Sequence, residues 1–242
     1  MSGGFGWSEA RRPRGEMAGV WRSERRWVWR GFLSAAVLVF GVAGATLTPR
    51  FAAAQSEANA DEASEETALR AKIAADPEDV EAHFDLGNFY YNLGRRPQAE
   101  AEYRRILEID PKHLGATINL GVVLNESGKS EEALVAFDQA LELDPGNSHV
   151  LCNRGQALYA LRRYDEALAL YEEAAQRDPE SQLAVYLIGV SFADAGIYKE
   201  AIREWEKVIA IDPDSETAAT AREGIQVLRT LVGIGGPGTD SK

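Results

Sequence analysis

The sequence predicts an all-α fold, an α-solenoid of helix–turn–helix units, and two observations carry that reading. Asp-Pro occurs at 76–77, 110–111, 144–145, 178–179 and 212–213, a step of 34 residues each time. The same step fixes glycine at Gly87, Gly121, Gly155 and Gly189, alanine at Ala99, Ala133, Ala167 and Ala201, and an aromatic at Tyr103, Phe137, Tyr171 and Trp205. A constant period without insertions is the mark of stacked repeats. The chain has 242 residues and ordinary globular composition, 45% hydrophobic and 26% charged, so length allows one large domain or two small ones. The period selects a single array.

In chain order, residues 1–54 stand apart. They hold eight Arg and three Glu, a net of +5, whereas the remainder holds 18 basic and 35 acidic side chains, a net of −17. Such asymmetry marks a targeting or membrane segment. Gly31–Thr48 is eighteen residues without a charge, preceded by Arg25, Arg26, Trp27, Trp29 and Arg30 and followed by Pro49, Arg50 and Ala52-Ala53-Ala54. A basic region, an apolar region and a small-residue run form the layout of an export signal. Eighteen apolar residues also reach the lower limit of a membrane-spanning helix. Trp27 and Trp29 would then sit at the headgroups, with the arginines kept inside. Arg25-Arg26 resembles a twin-arginine export signal, with Glu24 where that motif carries Ser or Thr. Both a cleaved signal and a retained anchor through residues 31–48 place the rest outside the cytoplasm. The expected location is the bacterial periplasm, free or held at the inner membrane, or the exterior.

Residues 55–66 are polar and acidic and read as a linker. Residues 63–79 read as the second helix of a degenerate opening unit. Four full units follow at 80–113, 114–147, 148–181 and 182–215, then a closing helix at 216–232 and a disordered tail at 233–242. Within the first unit Ala82, Leu86, Phe89, Tyr90 and Leu93 fall on one helical face. Gly94 ends that helix and Pro97 opens the next. Ala99, Tyr103, Ile106 and Leu107 form the second helix's buried stripe, and Pro111 stops it. Gly87 and its equivalents lie mid-helix, where glycine costs up to about 1 kcal/mol relative to alanine. The expected reason is a neighbouring helix backbone too close for a side chain, with the aromatic filling the wedge between helices.

These residues resemble the tetratricopeptide repeat (TPR) family, whose unit carries Leu-Gly, an aromatic, Ala-x3-aromatic and a closing Pro. The match reads Leu86-Gly87, Tyr90, Ala99, Tyr103 and Pro111, with Leu120-Gly121, Leu124, Ala133, Phe137 and Pro145 one unit on. Two further copies follow, in which Arg154 replaces the usual leucine. The resemblance implies a right-handed superhelix whose concave groove is lined by the first helix of each unit. The inward positions left after the packing face is removed are Phe84, Asn88, Tyr91 and Asn92; Ile118, Asn119, Val122 and Asn125; His149, Cys152, Asn153, Gln156 and Tyr159; and Tyr186, Val190 and Ala193. This face has many amides and three tyrosines and lacks Lys and Arg, a character suited to holding the backbone of a partner's peptide segment or helix. Some relatives clamp a partner's terminal carboxylate with Lys and Arg beside two Asn. Asn88 and Asn119 match the amides, but Phe84, His149 and Asn153 stand where the cations belong, which disfavours that partner class. A neutral or mildly basic segment suits the acidic array better.

Other chemistries find little support. Nucleic acid is excluded as a partner by a net charge of −12. One cysteine, Cys152, and three histidines supply neither a disulfide framework nor a metal cluster. His149 and Cys152 are helical neighbours with no third group, and adjacent carboxylates such as Glu131-Glu132 do not share a helix face. The expectation is a non-catalytic protein-interaction scaffold without cofactor or metal. An alternative is a membrane-anchored assembly factor for an envelope complex.

Overall fold

Each Asp-Pro is a two-part stop between units. The proline ends the preceding helix, and the aspartate accepts the amide two residues on, an Asx turn that closes the loop. Glu78 N donates to Asp76 at 3.1 Å, Lys112 N to Asp110 at 3.0 Å, Gly146 N to Asp144 at 3.3 Å, Glu180 N to Asp178 at 3.2 Å and Asp214 N to Asp212 at 3.1 Å. The period in the sequence is thus first a period of turns.

The structure, a computed structural model, describes residues 49–233, with side chains from residue 60 onward. The described residues form ten helices and no strand: α1 (Pro49–Ala75), α2 (Val80–Asn92), α3 (Arg96–Ile109), α4 (Leu114–Glu126), α5 (Ser130–Leu143), α6 (Ser148–Ala160), α7 (Tyr164–Arg177), α8 (Gln182–Asp194), α9 (Tyr198–Ile211) and α10 (Glu216–Leu231). The expected signal or anchor at 31–48 and the tail beyond Gly233 lie outside the described residues. Among those described, no helix is long and apolar enough to cross a membrane.

First and second helices start differently. Asp79, His113, Asn147, Ser181 and Ser215 each accept the amide three residues on, capping α2, α4, α6, α8 and α10. The second helices α3, α5, α7 and α9 have no side-chain cap. They follow a tight turn with one left-handed residue: Gly94 at φ 70°, Gly128 at 78°, Arg162 at 63° and Gly196 at 76°. Arg162 holds, without glycine's freedom, the conformation its three counterparts reach easily.

The wedge aromatics fill the core as expected, with Tyr103, Phe137, Tyr171 and Trp205 at most 1% exposed. Burying one such ring is worth about 1.5–3 kcal/mol. What stands against the periodic glycines differs from expectation. A Cβ on Gly87 would lie 2.7 Å from Tyr103 Cε1, and one on Gly121 2.5 Å from Phe137 Cε1. Gly155 meets Tyr171 and Gly189 meets Trp205 in the same way. The obstacle is therefore the ring of the same unit, with one edge set against the bare glycine, and not a neighbouring backbone. Trp205, the largest ring, also presses on Gly224 of α10, where a Cβ would come within 2.5 Å of Cζ3.

Helix α1 corrects a second expectation. Residues 55–66 are not a separate linker but part of one continuous helix that starts at Pro49. Alanine and glutamate are strong helix formers, so acidity and low hydrophobicity do not by themselves unwind this stretch. The C-terminal half docks on α2 through Leu69 and Ile73. Glu66 accepts from Tyr90 Oη at 2.9 Å and Arg95 Nη1 at 2.7 Å, while Arg70 Nη2 donates to Tyr90 Oη at 2.9 Å. The Tyr90 bond, then the Arg95 bond, hold the Glu66 carboxyl below its usual range.

Successive helices pack in order along the array. In addition α4, α6, α8 and α10 each touch the next of their set, whereas no two second helices are packed comparably. The array therefore curves with its first helices on the inside.

Candidate binding groove

The inner face is built from the outward positions of α2, α4, α6 and α8, because each of these helices commits its Ala, Gly and aliphatic positions to the packing. At its N-terminal end three polar groups lock together. Tyr103 Oη donates to Asn88 Oδ1 at 2.8 Å, and Asn119 Nδ2 donates to the same oxygen at 3.0 Å. Burial pushes the Tyr103 hydroxyl up to about 12, so it remains a donor across the physiological range. Asn88 and Asn119 are thus oriented by the core ring beneath them. Phe84 leans on Tyr103 and His113, with centroids 6.1 and 5.3 Å apart. Tyr91 donates to Glu126 at 2.9 Å, and Arg96 pairs with the other Glu126 oxygen at 2.9 Å.

Further along, Asn125 accepts from Ser130 Oγ at 2.8 Å. Ile118 and Val122 are half-buried against the core. Asn153 and Gln156 are half-buried, and Asn92 and His149 are exposed. His149 borders a shallow depression with Asp178, Ser181, Gln182 and Leu183. Tyr186 stacks on Trp205 at 5.9 Å and 21°, and its carbonyl accepts from Trp205 Nε1 at 3.2 Å. Val190 is half-buried beside it. Tyr159 packs edge-on against Tyr164 at 4.9 Å.

Two positions assigned to this face lie inside the packing. Cys152 is fully buried and Ala193 nearly so. At these points α6 and α8 carry small residues, and the neighbouring helix closes over them. Burial pushes the Cys152 thiol up to about 12, which removes it as a nucleophile at neutral pH. Among the described residues no group of three His, Cys, Asp or Glu side chains is placed to hold a metal ion.

The sequence reading passed over the acidic rim. A depression between α1 and α2 is lined by Glu62, Glu65, Leu69, Asp85, Asn88, Phe89, Asn92 and Leu93. Asp85 stands one period before Asn119 and two before Asn153, so applying the register evenly finds it. The same column ends in Leu187, half-buried on α8. The face therefore grades from acidic and amide-rich at α1 and α2 to largely aliphatic and aromatic at α8.

The comparisons agree with this geometry. Two tetratricopeptide repeat models match, one over residues 78–146 and 118–180 and the other over residues 152–216. None of the curated proteins matches in sequence. Similar solved structures include MamA, at 21% identity over 66% of this chain and 93% of that one, TM-score 0.57. YrrB, a TPR protein with an unusual peptide-binding site, is 24% identical over 72% of this chain and 89% of its own, TM-score 0.53. TTC0263, a thermophilic TPR protein from Thermus thermophilus, is 19% identical over 72% and 95%, TM-score 0.59. At these identities the likeness speaks to the fold. With the 34-residue turns, the glycine-on-ring packing and matches running from residue 78 to residue 216, the chain belongs to the tetratricopeptide repeat family.

Proposed function

We propose that this TPR array is a non-catalytic adaptor that holds a peptide segment or helix of a partner protein against its first helices, on the far side of a membrane from the cytoplasm. The observation that carries the reading is the row of amides without intramolecular bonds. Asn92, Asn153 and Gln156 are accessible on one face and make no side-chain hydrogen bond among the described residues. Amides both donate and accept, as an extended backbone requires. The likeness to YrrB, itself a TPR protein with a peptide-binding site, supports the same use of the fold. The export reading is supported by the basic residues and the uncharged stretch 31–48. A retained anchor would make the chain a membrane-held assembly factor with the same groove.

The test is site-specific photocrosslinking in the native host. A crosslinker at Gln156 or Asn153 is expected to give a discrete adduct, and one at Val135, 59% exposed on α5, is not. Combined Asn92→Ala, Asn153→Ala and Gln156→Ala should abolish the adduct formed from a crosslinker at Tyr91 without lowering Tm. Asn88 and Asn119 are avoided because their bonds to Tyr103 tie them to the fold. Adducts from Val135 alone would move the function to the outer face. A mature chain beginning near Gln55 would remove the anchor, and a cytosolic chain would remove export altogether.

A further inference from the structure

The fixed register lets one place be compared across units. Where the first two units meet, a tyrosine, a carboxylate and a cation close on one another: Tyr91 donates to Glu126 Oε1 and Arg96 to Glu126 Oε2, both at 2.9 Å. Two periods on, the helices keep their spans to the residue, α2 with α6, α3 with α7 and α4 with α8. Tyr159 then stands in the place of Tyr91, Asp194 in that of Glu126 and Tyr164 in that of Arg96. The cation of the first junction has become an aromatic ring at the second.

The replacement leaves the Tyr159 hydroxyl unsatisfied and the Asp194 carboxylate without a cation beside it. Tyr159 Oη is buried and has no hydrogen-bond partner among the described residues. Its ring is held by Tyr164 at an interplanar angle of 70° and by the Ile188 cluster of α8, so the hydroxyl cannot simply swing to water. Asp194 is one methylene shorter than the glutamate it replaces. It is exposed at the end of α8, and the partial desolvation it meets there pushes its carboxyl up, to about 6. An unmade hydrogen bond at a buried group costs about 1–3 kcal/mol, more for a charged one. A single incoming group that donates to both oxygens satisfies the buried hydroxyl and pairs the exposed carboxylate.

We infer that Tyr159, Tyr164 and Asp194 form a socket for a basic side chain of the segment held in the groove, an arginine in the manner of Arg96. A guanidinium donates to the Asp194 carboxylate and to Tyr159 Oη from one plane, and its face meets the Tyr164 ring. The chain supplies this cation itself at the first junction and leaves it to the partner at the second. An acidic array with a charge of −17 beyond residue 54 favours a basic segment over an acidic one.

This assignment rests on the groove reading, and its test is separate from the crosslinking. The full chain, labelled with 13C and 15N, is titrated with N-acetyl-arginine amide and, in parallel, with the uncharged isostere N-acetyl-citrulline amide. Saturable shifts at the Asp194 carboxyl and Tyr159, with millimolar affinity for the arginine probe and at least tenfold less for citrulline, are expected. Asp194→Asn, with Tm checked, should weaken the arginine probe at least tenfold. Tyr164→Arg, which restores the internal cation, should exclude it to the same degree. Equal shifts from citrulline, an ordered water filling the gap with no arginine binding, or undiminished binding in Tyr164→Arg would each overturn the socket. Crosslinked adducts persisting without arginine binding would sink the socket and spare the groove.

Discussion

The bare mid-helix glycines give a sharp quantitative test at Gly121. In an isolated helix Gly→Ala is stabilising by up to about 1 kcal/mol. Here the new methyl carbon would lie 2.5 Å from Phe137 Cε1 and 2.8 Å from Cδ1 and Cζ, against about 3.5–4.0 Å for a comfortable carbon contact. The ring would have to retreat by about 1 Å, and it is 1% exposed in a cluster with Ala133, Ala140 and Val150. Overpacking of that kind costs about 1–3 kcal/mol. Gly121→Ala should therefore destabilise by about 1–2 kcal/mol despite its better propensity.

A double-mutant cycle isolates the cause. Phe137→Leu removes the ring edge that faces Gly121 while keeping an apolar side chain. In that background Gly121→Ala should become neutral or stabilising, which gives a coupling of about 1–3 kcal/mol. Urea unfolding followed by circular dichroism at 222 nm on the four proteins reads it out. Two results would refute the reasoning. If Gly121→Ala stabilises on its own, the ring is not an obstacle. If its penalty survives Phe137→Leu, the obstacle is a backbone, as the sequence alone suggested.

Other residues give shorter tests. Arg162→Gly relieves a left-handed arginine at φ 63° and, after glycine's greater freedom in the unfolded chain, should stabilise by about 0.5–1 kcal/mol, read as a Tm rise of about 1–4 °C. Cys152, with its thiol pushed from 9.0 to about 12, should present about a thousandfold less thiolate than an ordinary cysteine and react with Ellman's reagent only when urea unfolds the chain. Glu66 has its pKa lowered from 4.5, so its contribution is complete above that value and is lost as pH falls through the depressed folded value. Hydrogen exchange in α1 should accelerate over that acidic window, and Glu66→Gln should remove the acceleration while loosening α1 at neutral pH.

Much of the scaffold was legible because its constraints are local and repeated. Gly94 falls at the left-handed residue after α2, and Pro97 is the second residue of α3, as turn chemistry requires. What the period could not reveal is the identity of the thing that constrains each position. It marks Gly87 as intolerant of a side chain but cannot tell a backbone from the Tyr103 ring. It marks Asn88 and Asn119 as inward-facing but cannot show that both spend groups on Tyr103 and each other. Cys152 and Ala193 share a helical angle with groove residues, yet their burial depends on how closely the next helix approaches, a tertiary quantity. Residues 55–66 misled through composition, since a docked helix needs only one apolar stripe and Leu69 and Ile73 supply it from further down.

The positions that keep the period and those that break it divide the molecule's work. Asp-Pro, the glycine and its ring recur because every junction must solve the same packing problem. On the inner face the column Asp85, Asn119, Asn153 and Leu187 changes from charge to amide to aliphatic, and Asn92, Glu126, Ala160 and Asp194 hold four different residues. A solenoid's stability is close to a sum of units and interfaces, so these changes are tolerated without altering its path. Positions outside the core on the second helices, such as Arg105, Gln139, Glu173 and Lys207, vary as well, so what distinguishes the inner face is its ordered gradient, which would fit a ligand that is itself not periodic. A ligand reading the whole groove would need donors or cations over α1 and α2, backbone exposed over α4 and α6, and apolar side chains over α8 beside the one cation that Asp194 receives. Reversing that order in a synthetic segment, with composition held constant, should cost it most of its affinity for the full chain. Equal affinity in both directions would mean that the graded face is only solvated surface.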